Sequence, residues 1–337
     1  MAFDNIKLEK GMYHEGNKPF TQVLEELDPS ENYKGTVLEG TDAFQRQLKR
    51  FGIRVKGSAS DPVEKFFSTF ESSVLFPEFI ARVVRQGMEE SNILPSIVAT
   101  VTKIDAMDYR SIFSVPARND KRLAEVAEGA TIPATCIRTR EDVVHLQKRG
   151  RMLVASYEAL RFQKLDLFSV MLRQIGAFIH QAHLEDAVEI LTDNCDAFEV
   201  GTNPITEGTT TFSYSALIDF WTQFHPYEVT TLLVGKNAMR ELLKLKKFQN
   251  PATGLNFQAT GKLTTPIGAE LLRTDAVDTD MIVALDRRYA LEMVQAGDVT
   301  VEYDKLIDRQ LERAAITSIC GFARLFGDAA KLLGLHK

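Results

Sequence analysis

The longest regular pattern of apolar residues in the chain runs from Ser156 to about Asp193. Leu160, Leu165, Phe168, Met171, Leu172, Ile175, Phe178, Ile179, Ala182, Val188 and Leu191 recur close to the 3.6-residue period of a helix face. Ser156 supplies an N-cap, Glu158 and Asp166 favour the first half, and no proline interrupts the run. The expectation is one helix of about 37 residues, a rod of about 55 Å. Its heptads are not sustained, so it reads as a spine and not as a coiled coil.

The pattern before the spine is less regular. Residues 1–60 are polar and turn-rich, with two short helical patterns at Pro19 to Leu27 and Thr41 to Phe51, the second with Thr41 as N-cap. Neither buries much alone, so the segment is expected to be an arm lying on something else. Asp61-Pro62 is a helix-opening signal followed by Val63 to Leu75. Phe76-Pro77-Glu78 interrupts that helix, which resumes from Phe79 to Met88. Ile97 to Ile104 and Arg110 to Val115 read as strands. Between 116 and 152, Pro116, Gly129, Pro133 and Gly150 stand among many charges. Thr131 to Ile137 and Asp142 to Leu153 look like two long strands with few large apolar residues. An isolated two-stranded ribbon is marginal in water, so a partner surface is implied.

After the spine comes a Thr- and Gly-rich loop at 194–213, then alternating elements. Tyr214 to Phe224 and Asn237 to Leu245 are expected helices; Thr230 to Val234 and Met281 to Asp286 are expected strands. Residues 249–265 form a polar loop, Gly268 to Arg273 is extended, and Arg288 to Gln295 is expected as a short helix. Val299 to Tyr303 opens a last extended stretch, and the mainly apolar Gln310 to Ala330 returns as strands under the spine. The class is α+β, and 337 residues suggest about two domains.

Composition narrows the function. Apolar residues at 45% and charged residues at 26% are an ordinary globular balance. A net charge of −6 argues against a protein whose main task is gripping nucleic acid. The charge is uneven, however. Residues 116–152 hold Arg118, Lys121, Arg122, Arg138, Arg140, Lys148, Arg149 and Arg151 against five acids, a balance of +3. Residues 156–196 hold seven acids, among them Glu185, Asp186 and Glu189, against three bases, a balance of −4. A basic extension from one subunit is therefore expected to lie over the acidic spine of the next, where complementary charge sets register. Cys136, Cys195 and Cys320 form no CxxC pair and suit a reducing compartment. Neither a signal peptide nor an apolar run of membrane-spanning length is present, so a soluble protein is expected.

Catalytic and ligand-binding patterns fail on spacing. Gly254 and Gly261-Lys262 are too far apart for a phosphate loop, and Leu263 follows the lysine. His180 and His183 share a helix face without an HExxH motif, and Asp275, Asp278 and Asp280 miss the EF-hand spacing. An α/β enzyme built on residues 213–300 would need convergent acid, base or nucleophile groups, and none is identifiable. No cofactor, metal or catalytic residue is expected.

Three segments, in order, carry a resemblance. They are Ser73-Val74-Leu75-Phe76-Pro77-Glu78-Phe79-Ile80, Ser156-Tyr157-Glu158-Ala159-Leu160-Arg161-Phe162, and Thr317-Ser318-Ile319-Cys320-Gly321-Phe322-Ala323-Arg324; Glu128-Gly129-Ala130-Thr131-Ile132-Pro133 accompanies them. Over residues 61–337 the chain resembles the major capsid proteins of tailed bacteriophages, the Hong Kong 97 type. The resemblance implies an N-terminal arm (1–60), an N-terminal helix region (61–96) and an extended β-ribbon loop with flanking strands (97–154). It further implies a peripheral domain with the spine helix (155–212), an α/β axial domain (213–300) and a return to the peripheral domain (301–337). It implies a non-enzymatic subunit that self-assembles into pentamers and hexamers of an icosahedral head enclosing double-stranded DNA. Partners would be further copies, a separate scaffolding protein, a portal, and DNA contacted weakly and without sequence specificity. No membrane is implied; assembly would take place in the host cytoplasm, and the product would be the virion. Some relatives weld their shells through an isopeptide bond; Lys121 and Lys148 are candidate donors here. The last asparagine is Asn256, so the C-terminal peripheral segment offers no acceptor and a non-covalent shell is expected. An encapsulin-type nanocompartment shares the fold and stays open as an alternative.

Overall fold

A computed structural model describes residues 2–14, 18–106, 108–113, 125–129, 138–139, 143–193, 197–199, 213–249, 265 and 267–334. The helices among them are α1 (Phe20–Leu27), α2 (Ala43–Arg50), α3 (Phe70–Glu90), α4 (Tyr157–Phe162), α5 (Leu165–Thr192), α6 (Tyr214–Thr222), α7 (Lys236–Lys244) and α8 (Lys246–Gln249). The strands up to the spine are β1 (Val98–Ile104), β2 (Asp108–Tyr109), β3 (Ile112–Phe113), β4 (Arg138–Thr139), β5 (Val144–His145) and β6 (Gln147–Ser156). Those after it are β7 (Ala197–Glu199), β8 (Thr231–Val234), β9 (Glu270–Arg273), β10 (Met281–Leu285), β11 (Leu291–Ala296), β12 (Thr300–Leu306), β13 (Leu311–Arg324) and β14 (Ala330–Gly334). The expected strand Thr131 to Ile137, Cys136 and Cys195 lie outside the described residues, as does nearly all of the loop 249–265.

The chain divides into two compact units. One comprises Met1–Ser91, Arg149–His180 and Val299–Ser318; the other comprises Asn92–Lys148, Gln181–Asp298 and Ile319–Lys337. Segments that follow one another in sequence are thus interleaved, and β6, α5 and β13 each give one part to either unit.

The first unit is built around α3 and the first half of α5. Leu75, Ile80, Leu165, Leu172 and Ile316 are fully buried in one core with Phe66, Phe76 and Phe168. Complete burial of such side chains contributes roughly 1.5–3 kcal/mol each. β12 and β13 pair antiparallel from Thr300↔Thr317 to Leu306↔Leu311, and β6 pairs with the other edge of β13. Val301 and Tyr303 turn inward to pack on the core with Ala314 and Ile316 of β13.

Three expectations change around α3 and the spine. Pro62 opens only a 3-10 turn, Val63–Phe67, while Thr69 caps α3 in a reciprocal box with Ser72. The spine is broken, because the Val63 N–H donates to the Gln163 carbonyl at 3.0 Å and the Leu165 N–H donates to the Asp61 carbonyl at 2.9 Å. These bonds draw Gln163 out of the helical region to ψ 125, so α4 stops there and α5 starts afresh with 28 residues. Finally, α3 continues through Pro77 instead of breaking at it. The Tyr13 hydroxyl enters the helix at that turn, donating to the Val74 carbonyl and accepting from the Glu78 N–H.

The N-terminal segment, expected as an arm, lies on its own chain. Leu8, Phe20, Leu24, Phe44 and Leu48 are buried in the same core as α3. Asp42, not Thr41, caps α2, in a box with Gln45. Arg46 is fully buried; it pairs with the fully buried Asp28 at 2.5 Å, and its guanidinium lies 4.3 Å over the Tyr33 ring. Arg82 of α3 pairs with Asp42 and Glu78, so the segment is tied to α3 by charge as well as by packing.

The second unit holds a five-stranded sheet in the order β7-β14-β10-β8-β9. Its strands β8 and β10 are buried on both faces. Leu233, Val283, Leu285 and Leu332 pack with Leu184, Val188 and Leu191 of the second half of α5. The alternate residues Leu232, Val234, Ile282, Ala284 and Leu333 pack with Leu217, Phe220, Met239 and Leu242 of α6 and α7. The expected helix Arg288 to Gln295 is instead strand β11, parallel to β1 and antiparallel to the second part of β13. Pairing on both edges and full burial of Leu291 and Val294 override the local preference.

Candidate functional site

Two places carry the features expected of an assembling subunit. The first, in the second unit, is the root of the extended loop. Beyond β1 the chain climbs through β2 and β3 and comes back through β4 and β5, with Asp108↔His145, Tyr109↔Val144, Ile112↔Thr139 and Phe113↔Arg138 in register. A satellite core of Val144, Val294 and Ala323, with Ile104, Tyr109 and Leu146 against it, seats this ribbon. The returning limb passes so close to β13 that a Cβ on Gly321 would stand 2.8 Å from the His145 carbonyl oxygen, which only glycine permits.

Glu292 of β11 holds the climbing limb. Its carboxylate is 4% exposed and accepts from Thr102 Oγ1 at 2.6 Å, Tyr109 OH at 2.8 Å and Ser111 Oγ at 2.5 Å. A buried carboxyl group requires hydrogen-bond partners, and these three hydroxyls supply them. Burial, together with the bond to Glu292, pushes the Tyr109 phenol above its ordinary pKa, so it stays a donor.

The second place, in the first unit, is the outer face of α5. Leu165, Phe168, Leu172 and Ile179 face the core. Leu167, Val170, Met171 and Phe178 are each about half exposed, as are Met152 and Val154 of β6. The Arg151 guanidinium lies 5.5 Å from the Phe178 ring centroid. Large apolar side chains exposed together beside the core face of a helix mark a surface suited to being covered. Sequence periodicity assigned Met171 and Phe178 to the core face together with Leu172 and Ile179, and so missed a second face.

The residues expected to make charge contacts are distributed as follows. Arg118, Lys121, Arg122 and Arg140 lie outside the described residues, and Arg138 is placed on β4 by its backbone. Lys148 and Arg151 are exposed on β6, and Arg149 is half-buried between them. Glu185 and Glu189 are exposed on α5, with Glu185 accepting from Gln181 Nε2 at 3.2 Å. Asp186 is a correction to the expected acidic face: it is 6% exposed and points inward. Sequence gave no signal for Glu292, whose partners are far from it along the chain.

His180 and His183 are buried, at 4% and 1% exposure, and no group of three metal-ligating side chains occurs among the described residues. Burial holds His180 below its ordinary pKa. A cleft of ≈ 420 Å³ in the first unit is lined by Glu64, Phe67, Arg161, Lys305 and Glu312 among others. Its charges pair with one another, Lys305 with Glu312 at 2.8 Å and Arg161 with Glu64 at 3.8 Å. No helix among the described residues is long and apolar enough to cross a membrane.

The family described as phage capsid protein matches residues 140–323, more than half of the chain, from the returning limb of the loop to the end of β13. The chain belongs to that family. No curated protein matches this capsid protein. Its fold is similar to the capsid of a native GTA particle (TM-score 0.52, 12% identity, covering 73% of this chain and 91% of that one). It is likewise similar to the capsid of the cyanophage P-SCSP1u (0.50, 14%, 71% and 86%) and to a structure from Gordonia phage Cozz (0.50, 12%, 73% and 86%). The capsid protein therefore has the Hong Kong 97-type fold with a broken spine and an extended loop, and it is a shell subunit.

Proposed function

We propose that copies of this capsid protein associate head-to-tail, the extended loop of one covering the outer face of α5 in the next. Pentamers and hexamers of such copies then close an icosahedral phage head around double-stranded DNA. The observation that carries this reading is the spine itself. Leu167, Val170, Met171 and Phe178 form an exposed apolar sector of α5 outside its core face. A contiguous exposed stripe of this kind marks an association surface. A head-to-tail contact is heterologous, and its rotation decides between closed rings and extended lattices.

Charge has a secondary role. Lys148, Arg149 and Arg151 at the loop's returning limb, and Glu185 and Glu189 on α5, favour register between copies and make encounter depend on salt. The net charge of −6 suits a lining that holds packaged DNA loosely and without sequence preference. On this reading the subunit is structural and not catalytic. A separate scaffolding protein and a portal complete the particle, assembly takes place in the host cytoplasm, and the product is the virion head.

Electron microscopy and sedimentation of the expressed full chain across a range of salt test this. Rings or shells whose yield changes with salt are expected. A chain that stays monomeric at high concentration in every salt condition overturns the proposal. Shells recovered filled with protein instead of DNA from infected cells would favour a nanocompartment.

A further inference from the structure

The extended loop is joined to its unit by a root, and the root has a single charged group at its centre. Glu292 sits on β11, the middle strand between β1 and the second part of β13. Its three hydroxyl donors come from successive points on the climbing limb: Thr102 near the end of β1, Tyr109 in β2, and Ser111 just before β3. One carboxylate therefore fastens the limb at three points, Thr102, Tyr109 and Ser111. All three donors are neutral, so the bonds depend on direction more than on net charge. They hold only if the limb leaves β1 at one angle. The returning limb is held by Val144 in the satellite core, by the close passage over Gly321 and by the pairing of β5 with β2.

We infer that Glu292 is the positioning residue of the loop, setting the direction in which it leaves the subunit and thereby the geometry of contact with the next copy. This inference rests on the head-to-tail reading above. A loop hinged freely at its root would reach a neighbour at many angles and permit shells of many curvatures. Fixed at both limbs, it acts as a lever with one direction. Leaving a buried group without its partners costs far more than the bonds contribute on balance, so the root has little tendency to settle half-fastened.

Hydrogen exchange on unassembled subunits, combined with microscopy of assembled ones, tests this with Glu292→Met and with the double variant Y109F/S111A. The methionine keeps the length of the side chain and removes the acceptors; the double variant removes donors and leaves the carboxylate. Both are expected to speed amide exchange in residues 102–113 by roughly tenfold or more, with exchange in α5 unchanged. Both are also expected to broaden the size distribution of the particles. Unchanged exchange at the root in both variants overturns the inference. A loosened root with particles of unaltered uniformity also overturns it, since the angle would then not govern assembly. Failure of the unmodified chain to form shells would count against the proposed function alone, because the exchange measurement needs no assembly.

Discussion

The Tyr13 hydroxyl donates to the Val74 carbonyl at 2.7 Å, and it also accepts from the Glu78 N–H at 3.1 Å. Those two backbone groups are partners of one another in an unbroken helix. Pro77, one residue before Glu78, brings its ring against the preceding turn and loosens the ladder there. The tyrosine thus splices the helix at its weak point, from a segment sixty residues earlier. Burial keeps the phenol protonated, raising its pKa far above the ordinary value, with the nearby Glu78 carboxylate acting in the same direction.

Removing that hydroxyl should be costly only while the proline is present. Y13F leaves a part-buried carbonyl and N–H without the splice, and a loss of about 1–3 kcal/mol is expected. In a P77A background the rung is able to close directly, and the same change should cost clearly less. Chemical denaturation of the four variants as a double-mutant cycle measures the coupling. Equal losses in both backgrounds would show that the hydroxyl's contribution does not depend on the proline.

A second pair of positions in the same unit is intolerant of any side chain. A Cβ on Gly176 of α5 would stand 2.2 Å from the Val84 carbonyl oxygen, and one on Gly87 of α3 would stand 2.2 Å from that of Arg173. The two helices touch backbone to backbone through these glycines. Alanine usually favours a helix by about 1 kcal/mol over glycine. Here overpacking should reverse the sign and cost about 2 kcal/mol or more in Gly176→Ala. Gly327→Ala, where nothing lies within 4 Å, is the control and should be near neutral. Thermal or denaturant unfolding of the two variants reads the difference.

The spacing of apolar residues disclosed most of this architecture, and its failures have physical causes. Val98–Ile104, Thr231–Val234 and Met281–Leu285 were legible because β-branched or apolar runs bounded by polar residues read as buried strands. β11 was not, because Glu292 and Met293 carry no strand preference and only pairing on both edges makes them one. The break at Gln163 was invisible because the bonds causing it come from residues 61–63. The burial of Leu8, Phe20, Leu24, Phe44 and Leu48 was hidden for the same reason: short helices with little core of their own gain it from α3. At the site, the charges were legible and the apolar stripe was not, since periodicity registers that a helix is apolar without saying which face its own unit covers.

His180 gives the fold a pH dependence with a definite sign. Burial lowers its folded pKa from the ordinary 6.5, so the unfolded chain binds more protons than the folded one once pH falls below about 6.5. Its contribution to stability is therefore complete above that value. It declines on acidification from 6.5 toward the lowered folded value and stays constant below it. Denaturant midpoints measured from pH 8 to pH 5 should fall across that window. His180→Gln, which does not titrate, should be less stable at pH 8 and show a flatter profile. An identical slope in the variant would place the titration on another group.

The outer face of α5 supplies the most direct separation of folding from assembly. Val170 and Met171 are 50% and 53% exposed in the single chain, so lysine at both positions leaves the core of the unit untouched. Exposed substitutions of this kind usually change stability by less than about 0.5 kcal/mol. In an assembled shell the same lysines would be buried against an apolar partner, where an unpaired charge is expensive. V170K/M171K is therefore expected to give a monomer with an unfolding midpoint close to that of the unmodified chain and no rings or shells at any salt concentration. Reversing Arg151 to Glu should instead slow assembly and invert part of its salt dependence, because that side chain contributes charge at the edge of the stripe. Sedimentation distinguishes the two outcomes, and normal shells from the double-lysine variant would remove α5's outer face from the interface.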